Sequence, residues 1–227
     1  MKLPAIAPSL MCMDLLEFRN QIQFLNDKVA WFHVDIMDGH FVPNLTLSPW
    51  FVSSLSQLAK APIDCHLMVT DPENYVAPLA KAGATMVSFH AEAVNGKAFR
   101  LIDTIRRVGM QCGLVLNPET QLEDVTLYLA RIDKVTIMTV DPGFAGQVFI
   151  PEMLGKIKAF ASWREQHGLN YLIEVDGSCN KNTYASLMAA GADILIMGSS
   201  GLFNHAPEIA AAWQMMQSDL QEALAPV

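Results

Sequence analysis

Residues 71–90 run Asp71-Pro72-Glu73-Asn74-Tyr75-Val76-Ala77-Pro78-Leu79-Ala80-Lys81-Ala82-Gly83-Ala84-Thr85-Met86-Val87-Ser88-Phe89-His90. Asp71-Pro72 sets a capping carboxylate ahead of a proline whose fixed φ suits a first helical turn. Gly83 stops that helix, because a glycine can take the left-handed conformation that ends it. The spacing therefore predicts a helix over Pro72–Ala82 and, three residues past the glycine, a short apolar strand over Met86–His90. The same Ala-Gly-Ala step returns at Ala190-Gly191-Ala192, again just ahead of an apolar run.

Working outward, strand-like runs recur at Ile6–Ser9, Trp31–Ile36, Ile63–Met68, Gln111–Leu116, Lys134–Met138, Tyr171–Val175 and Ile194–Met197. Between them lie helix-like stretches at Asp14–Asn26, Gly96–Val108, Leu122–Leu129, Pro151–His167 and Asn182–Ala190, with Asn182 as a start signal. Gly109, Gly168 and Gly191 read as stops like Gly83. Eight such units in 227 residues average about 28 residues each, which suits a minimal α/β barrel of the (β/α)8, or TIM, type. An open doubly wound sheet also alternates strand and helix. Equal spacing without a composition break or a linker favours closure, and one catalytic domain over residues 1–227.

Composition narrows the function classes. With 52% hydrophobic and 17% charged residues, the chain is too apolar for disorder. Its net charge of -8 argues against nucleic acid as a partner. Cys12, Cys65, Cys112 and Cys179 are widely spaced with no C-x-x-C pair, which fits reduced thiols in a cytoplasmic protein. The N-terminal Met1–Pro8 imitates a signal peptide only briefly and reads as the approach to a first strand. No apolar run nears the ~18 residues of a membrane span.

In a parallel barrel, chemistry gathers where strands end. His33 and Asp35 are two apart, so they share one face of their strand, and with Phe32 and Val34 toward the helices that face is the interior. By the same alternation His66 points inward with Cys65 outward, and Glu174 and Asp176 point inward from the seventh strand. His33, Asp35, His66 and Asp176 therefore form a candidate site for one divalent metal ion, with a mix of imidazole and carboxylate suited to Zn, Mn, Fe or Co rather than Ca. Glu174 reads as an interior polar contact or a partner of a ligand histidine. His40 and His90 are expected near the mouth, behind the ligands, and His167 on the surface.

Two glycine-bearing loops follow, Val140-Asp141-Pro142-Gly143-Phe144-Ala145-Gly146-Gln147 and Gly198-Ser199-Ser200-Gly201. Neither contains Lys or Arg, so any phosphate there would be held by backbone N–H groups and hydroxyls.

The run from Phe32 to Asn44 (Phe32-His33-Val34-Asp35-Ile36-Met37-Asp38-Gly39-His40-Phe41-Val42-Pro43-Asn44) resembles the signature of the ribulose-phosphate 3-epimerase family. So do Asp64-Cys65-His66-Leu67-Met68-Val69, the run from Met138 to Gln147, and Glu174-Val175-Asp176-Gly177. The motifs keep the family's order over almost the whole chain. The resemblance implies a metal-dependent epimerase acting at C3 of a ketose phosphate. A homo-oligomer is expected on symmetry grounds, and the charge and the lack of an apolar span leave no nucleic acid or membrane partner expected. The resemblance implies metal ligation by His33, Asp35, His66 and Asp176, with Asp35 and Asp176 as the paired acid and base. It implies substrate contact by Ser9 and His66, by Gly143, Phe144, Ala145 and Gly146, by Asp176, Gly177 and Ser178, and by Gly198, Ser199 and Ser200. Met37, Met68 and Met138 would wall the intermediate from water.

Competing enzymes on this fold fit poorly. A Schiff-base aldolase needs a lysine at a strand's C-terminal end, and Lys134 opens its strand. An orotidine-phosphate-type decarboxylase needs a lysine between its aspartates, and Asp35-Ile36-Met37-Asp38 has none. From a different class, a non-catalytic sugar-phosphate-binding protein would bind without C3 exchange. Leu10-Met11-Cys12-Met13-Asp14-Leu15, with Ala145, Ser178 and Ser200, departs from the family's pentulose pattern and looks like the branch acting on D-allulose 6-phosphate. The expected reaction is interconversion of D-allulose 6-phosphate and D-fructose 6-phosphate, with D-ribulose 5-phosphate/D-xylulose 5-phosphate as the alternative pair.

Overall fold

Eight parallel strands hydrogen-bond in the order β1-β8-β7-β6-β5-β4-β3-β2 in a computed structural model that describes residues 3–225. They are β1 Ala5–Pro8, β2 Phe32–Met37, β3 Ile63–Met68, β4 Met86–His90, β5 Gln111–Leu116, β6 Lys134–Met138, β7 Leu172–Asp176 and β8 Ile194–Met197. A bridge between Ser9 and His33, and a 2.8 Å bond from the Ala30 N–H to the Ile6 carbonyl, draw β1 against β2. The result is a (β/α)8 TIM barrel. Met1 and Lys2, part of the N-terminal stretch read above, lie outside the described residues.

The helices are α1 Phe18–Leu25, α2 Pro49–Leu55, α3 Glu73–Ala82, α4 Ala98–Arg107, α5 Met153–Gln166, α6 Tyr184–Ala190 and α7 Ile209–Ala223. Gly83 and Gly191 end α3 and α6 at φ of +96° and +108°, as the stop signals require. The Asp14–Asn26 expectation divides, with one 3-10 turn at Leu15–Glu17 capped by the Asp14 carboxylate before α1 begins. Leu122–Leu129 is not an α-helix. Its bonds run from Val125 to Leu122 and from Tyr128 to Val125, a three-residue step, and Val125-Thr126 is a β-branched pair that weakens helix formation. Two helices escaped the sequence reading. Ser48-Pro49 caps α2, and Ala212, Trp213, Met216 and Leu220 form the buried stripe of α7.

Alternation along each strand sorts two populations. Phe32, Val34 and Ile36 of β2 join Leu25, Val52 and Leu55 in the layer between strands and helices. The intervening residues face the barrel axis. Ala7, Trp31, Ile194 and Ile196 form a small apolar cluster of their own, and Met37 with Met68 and Val115 with Met138 belong to two more. Between them the interior buries His33, Asp64, His66, Lys134 and Glu174, which only dense pairing can sustain.

Candidate active site

His33 and Asp35 on β2, His66 on β3 and Asp176 at the end of β7 meet at the mouth of the barrel, with one ligand atom of each within 4.8 Å of all the others. Nε2 of His33 lies 3.2 Å from Nδ1 of His66, 3.3 Å from Oδ1 of Asp35 and 3.9 Å from Oδ2 of Asp176. Nδ1 of His66 lies 3.2 Å from the same Asp35 oxygen and 3.5 Å from the same Asp176 oxygen. The edges of a tetrahedron with bonds of about 2.1 Å are about 3.4 Å long, so these four donors are spaced as ligands of one divalent ion would be. The two imidazole nitrogens also turn toward each other with carboxylate oxygens on either side, an arrangement that a cation would satisfy.

Beneath this cluster sits a buried charge network. Nδ1 of His33 is 2.9 Å from Oδ2 of Asp64, which fixes the ring so that Nε2 faces the cluster. Lys134 bridges Asp64 and Glu174 at 2.5 Å each. Ser88 donates to Asp64, while Trp31 and Thr136 donate to Glu174. Gly113 makes room for this, since a Cβ there would stand 2.1 Å from the Ser88 hydroxyl. Lys134 is fully buried and ion-paired, so it is a structural cation and no Schiff-base nucleophile. Glu174 therefore meets the first of its two expectations, an interior polar contact.

Burial and charge divide the two mouth carboxyls. Burial opposes ionisation of Asp35, but His33 and His66 outweigh it and hold the carboxyl well below its usual range. Burial dominates at Asp176 and, with repulsion from Asp35 and Glu174, pushes it up to about 7 despite His33. Burial disfavours a charge on His33, yet Asp35 and Asp64 raise it well above an ordinary imidazole. Burial lowers His66, and takes His90 down to about 4. Two carboxyls across one small site thus prefer opposite protonation states.

Above them opens a pocket between the strand ends. It is lined by Ser9, Asp35 and Asp176, by Gly143, Phe144, Ala145 and Gly146, by Gly177 and Ser178, and by Gly198, Ser199 and Ser200. Met37, Met68 and Met138 form part of its wall. His66 lies in the metal-type cluster but not on this lining, since it is fully buried beneath Asp35 and Asp176. Ser9 gives its hydroxyl hydrogen to Oδ2 of Asp35 at 2.7 Å and so orients that carboxylate. Gly177 is required where it stands, because its φ is +117° and a Cβ would meet Val140 at 2.7 Å. Ser178 also adopts a left-handed φ of +49°, and its hydroxyl donates to the Gln147 carbonyl at 2.5 Å. The hydroxyl that the sequence offered to substrate thus already joins the loop after β6 to the loop after β7.

Several contributors escaped the sequence reading. Thr139 donates from backbone and hydroxyl to the Asp176 carbonyl, at 2.7 Å and 3.1 Å. Cys12, Cys179 and Gln147 line the pocket; only their place in loops after strands could have flagged them. His90 is fully buried against His66, consistent with its expected place behind the ligands. His40 is exposed in the loop after β2 and bonds to Asp38, away from the cluster, because the chain turns outward at Gly39 with φ of +73°. His167 is on the surface, stacked on Trp163.

A parallel barrel whose strand ends bring two histidines, two aspartates and glycine loops around one mouth has the layout of a TIM-barrel enzyme's active site. Residues 5–203 match the model described as Ribulose-phosphate 3 epimerase family. The chain belongs to the ribulose-phosphate 3-epimerase family, and it is an isomerase acting on carbohydrate phosphates. It is 41% identical to a ribulose-phosphate 3-epimerase of Synechocystis sp. over 91% of this chain and 90% of that one. It is 40% identical to that of Bacillus subtilis (86% and 90%). The cytoplasmic isoform of Oryza sativa is 41% identical over 86% of each chain. Among solved structures, a mutant tryptophan synthase alpha-subunit of Pyrococcus furiosus shares the fold at TM-score 0.67 and 14% identity over 99% of each chain. A thiamine phosphate pyrophosphorylase of Pyrococcus furiosus shares it at 0.61 and 13% over 98% of each. No helix among the described residues is long and apolar enough to cross a membrane.

Proposed function

We propose that this chain is a divalent-metal-dependent 3-epimerase of ketose phosphates, in which Asp35 and Asp176 exchange the C3 proton. The observation that carries this reading is the convergence of those two carboxyls with His33 and His66 at one mouth, a ligand atom of each within 4.8 Å of the others. Inverting a carbon beside a carbonyl needs one group to take the proton from one face and another to return one to the opposite face. Asp35, held by Ser9, is placed to accept a proton, and Asp176 across the same mouth is placed to return one. In the reverse direction the two exchange roles.

His33, Asp35, His66 and Asp176 would hold one ion of Zn, Mn, Co or Fe. When bound, that ion supplies Lewis-acid polarisation of the substrate's C2 and C3 oxygens. Met37, Met68 and Met138 exclude water above the carboxyls. No Lys or Arg among the described residues lines the pocket, so the phosphate rests on N–H groups and hydroxyls of the Gly177-Ser178 and Gly198-Ser199-Ser200 loops. The chain acts as one catalytic domain over 1–227, in the cytoplasm, as a homo-oligomer without nucleic acid or membrane partners.

Sugar length divides two readings, and the family and relatives support the pentulose alternative better than the hexulose pair expected from the sequence. The names of the relatives favour D-ribulose 5-phosphate and D-xylulose 5-phosphate. The departures at Ser178 and Ser200 favour D-allulose 6-phosphate and D-fructose 6-phosphate, Ser200 through a pocket-lining hydroxyl that accepts from Asn180. Metal-loaded protein in D₂O, offered each ketose phosphate, tests both levels. Label at C3 is the expected result, and binding without label would mean a sugar-phosphate sensor. The larger kcat/KM names the sugar. A site that pairs an extra hydroxyl can reject the shorter sugar by up to about 10⁴-fold.

A further inference from the structure

We propose that His90 and Glu92 are positioning residues that decide which nitrogen of His66 carries hydrogen, and so keep Nδ1 of His66 free for the divalent ion. The inference rests on the metal reading above and names residues that reading does not use.

Nε2 of His66 lies 2.8 Å from Nε2 of His90, with the rings stacked at 24° and 4.9 Å between centroids. Both side chains are fully buried, so no solvent can complete this contact. One nitrogen must donate and the other accept, since a neutral imidazole has one N–H and one lone pair. The choice is made at the far side of His90. Its Nδ1 has no aligned hydrogen-bond partner, and the charge it faces is the Glu92 carboxylate, whose Oε2 lies 3.3 Å away. A hydrogen on Nδ1 of His90 is attracted by that carboxylate, whereas a lone pair there would be repelled by it, so Nδ1 carries the hydrogen.

Glu92 is itself fixed with an acceptor toward His90. Its Oε1 receives the Asn117 backbone N–H at 2.9 Å and the Thr120 hydroxyl, which leaves Oε2 for His90. With the hydrogen on Nδ1, Nε2 of His90 is an acceptor, so Nε2 of His66 donates. Nδ1 of His66 then presents a lone pair to the cluster. In the other tautomer its N–H would donate to Oδ1 of Asp35 at 3.2 Å and close the site to a cation. Asp64 does the same service for His33 directly; His66 has it relayed through a second imidazole.

Glu92→Gln should reverse the relay. Its oxygen stays with the Asn117 N–H, its amide donates to His90, and His66 receives hydrogen on Nδ1. His90→Phe keeps a ring but removes the acceptor, whereas His90→Gln restores one. The dissociation constant for Zn²⁺, measured by competition with a chromogenic chelator, should rise about 10–100-fold in Glu92→Gln and His90→Phe, with most of the affinity recovered in His90→Gln. Imidazole ¹⁵N shifts of the metal-free protein should place the His66 hydrogen on Nε2 in the wild type and on Nδ1 in Glu92→Gln. A purely structural role would lower unfolding stability and leave those shifts in place. Wild-type Zn²⁺ affinity in Glu92→Gln and His90→Phe, or a wild-type His66 protonated at Nδ1, overturns the inference. Should Glu92→Gln not fold, the His90→Phe and His90→Gln pair decides alone. A wild type that binds no Zn²⁺ overturns the metal reading instead, which keeps the two failures apart.

Discussion

Nδ1 of His33 is hydrogen-bonded at 2.9 Å to the carboxylate of Asp64, its register partner on the neighbouring strand. The contact joins the mouth of the barrel to the ion pairs below it, because the same carboxylate oxygen also takes Lys134 at 2.5 Å. A metal-type ligand is therefore oriented by a residue whose own charge is balanced from across the interior.

Replacing the shared cation should be costly. Lys134→Met leaves Asp64 and Glu174 as buried carboxylates without their counter-ion, at a cost of about 3–5 kcal/mol. The urea midpoint should fall accordingly. Unchanged stability would mean that the carboxyls take up protons at little cost and that Lys134 is dispensable.

Asp35→Asn and Asp176→Asn should each reduce epimerisation by at least ~10²-fold, since one group must take the proton and the other return it. The variants should differ in partial reactions, one still exchanging the C3 hydrogen with solvent without inverting the carbon. Turnover and D₂O exchange, measured side by side, check this. Near-normal turnover in either variant would refute the two-base assignment.

Metal uptake should depend on pH in a definite direction. Burial, with repulsion from Asp35 and Glu174, places Asp176 at about 7, so below that pH an incoming cation displaces its proton. Zn²⁺ affinity should rise with pH up to about 7 on account of this group, and level off above it. Calorimetry in buffers of different ionisation enthalpy at pH 6 should show about one more proton released by the wild type than by Asp176→Asn.

Ser178→Gly separates backbone from specificity. Glycine relieves the left-handed φ of +49° but removes the hydroxyl bond to Gln147. These effects oppose each other, so stability should move by less than about 1 kcal/mol. If the hexulose reading holds, the kcat/KM ratio should shift toward the five-carbon sugar. An unchanged ratio would remove Ser178 from the specificity argument.

Much of this was legible in the chain because it depends on local periodicity. Five of the strands were bounded to the residue, and Gly83 and Gly191 stop their helices where the pattern put them. A two-residue period also tells which side chains share a face, so His33 with Asp35, and Glu174 with Asp176, could be turned inward before any contact was known. The Leu122–Leu129 segment failed because its apolar residues fit a helix while its bonds close every three residues, and its β-branched Val125-Thr126 pair disfavours the α-helix.

What a linear pattern could not supply is the identity of partners across strands. Lys134 and Asp64 are seventy positions apart, and only the register of β2 through β7 brings that ammonium between Asp64 and Glu174. The same closure stacks His90 on His66, gives the Ser178 hydroxyl to Gln147, and sets Asp35 and Asp176 apart in proton affinity. Which residues point inward follows from the pitch of a strand, whereas which of them meet, and with what charge, follows from register, barrel closure and the low dielectric they create.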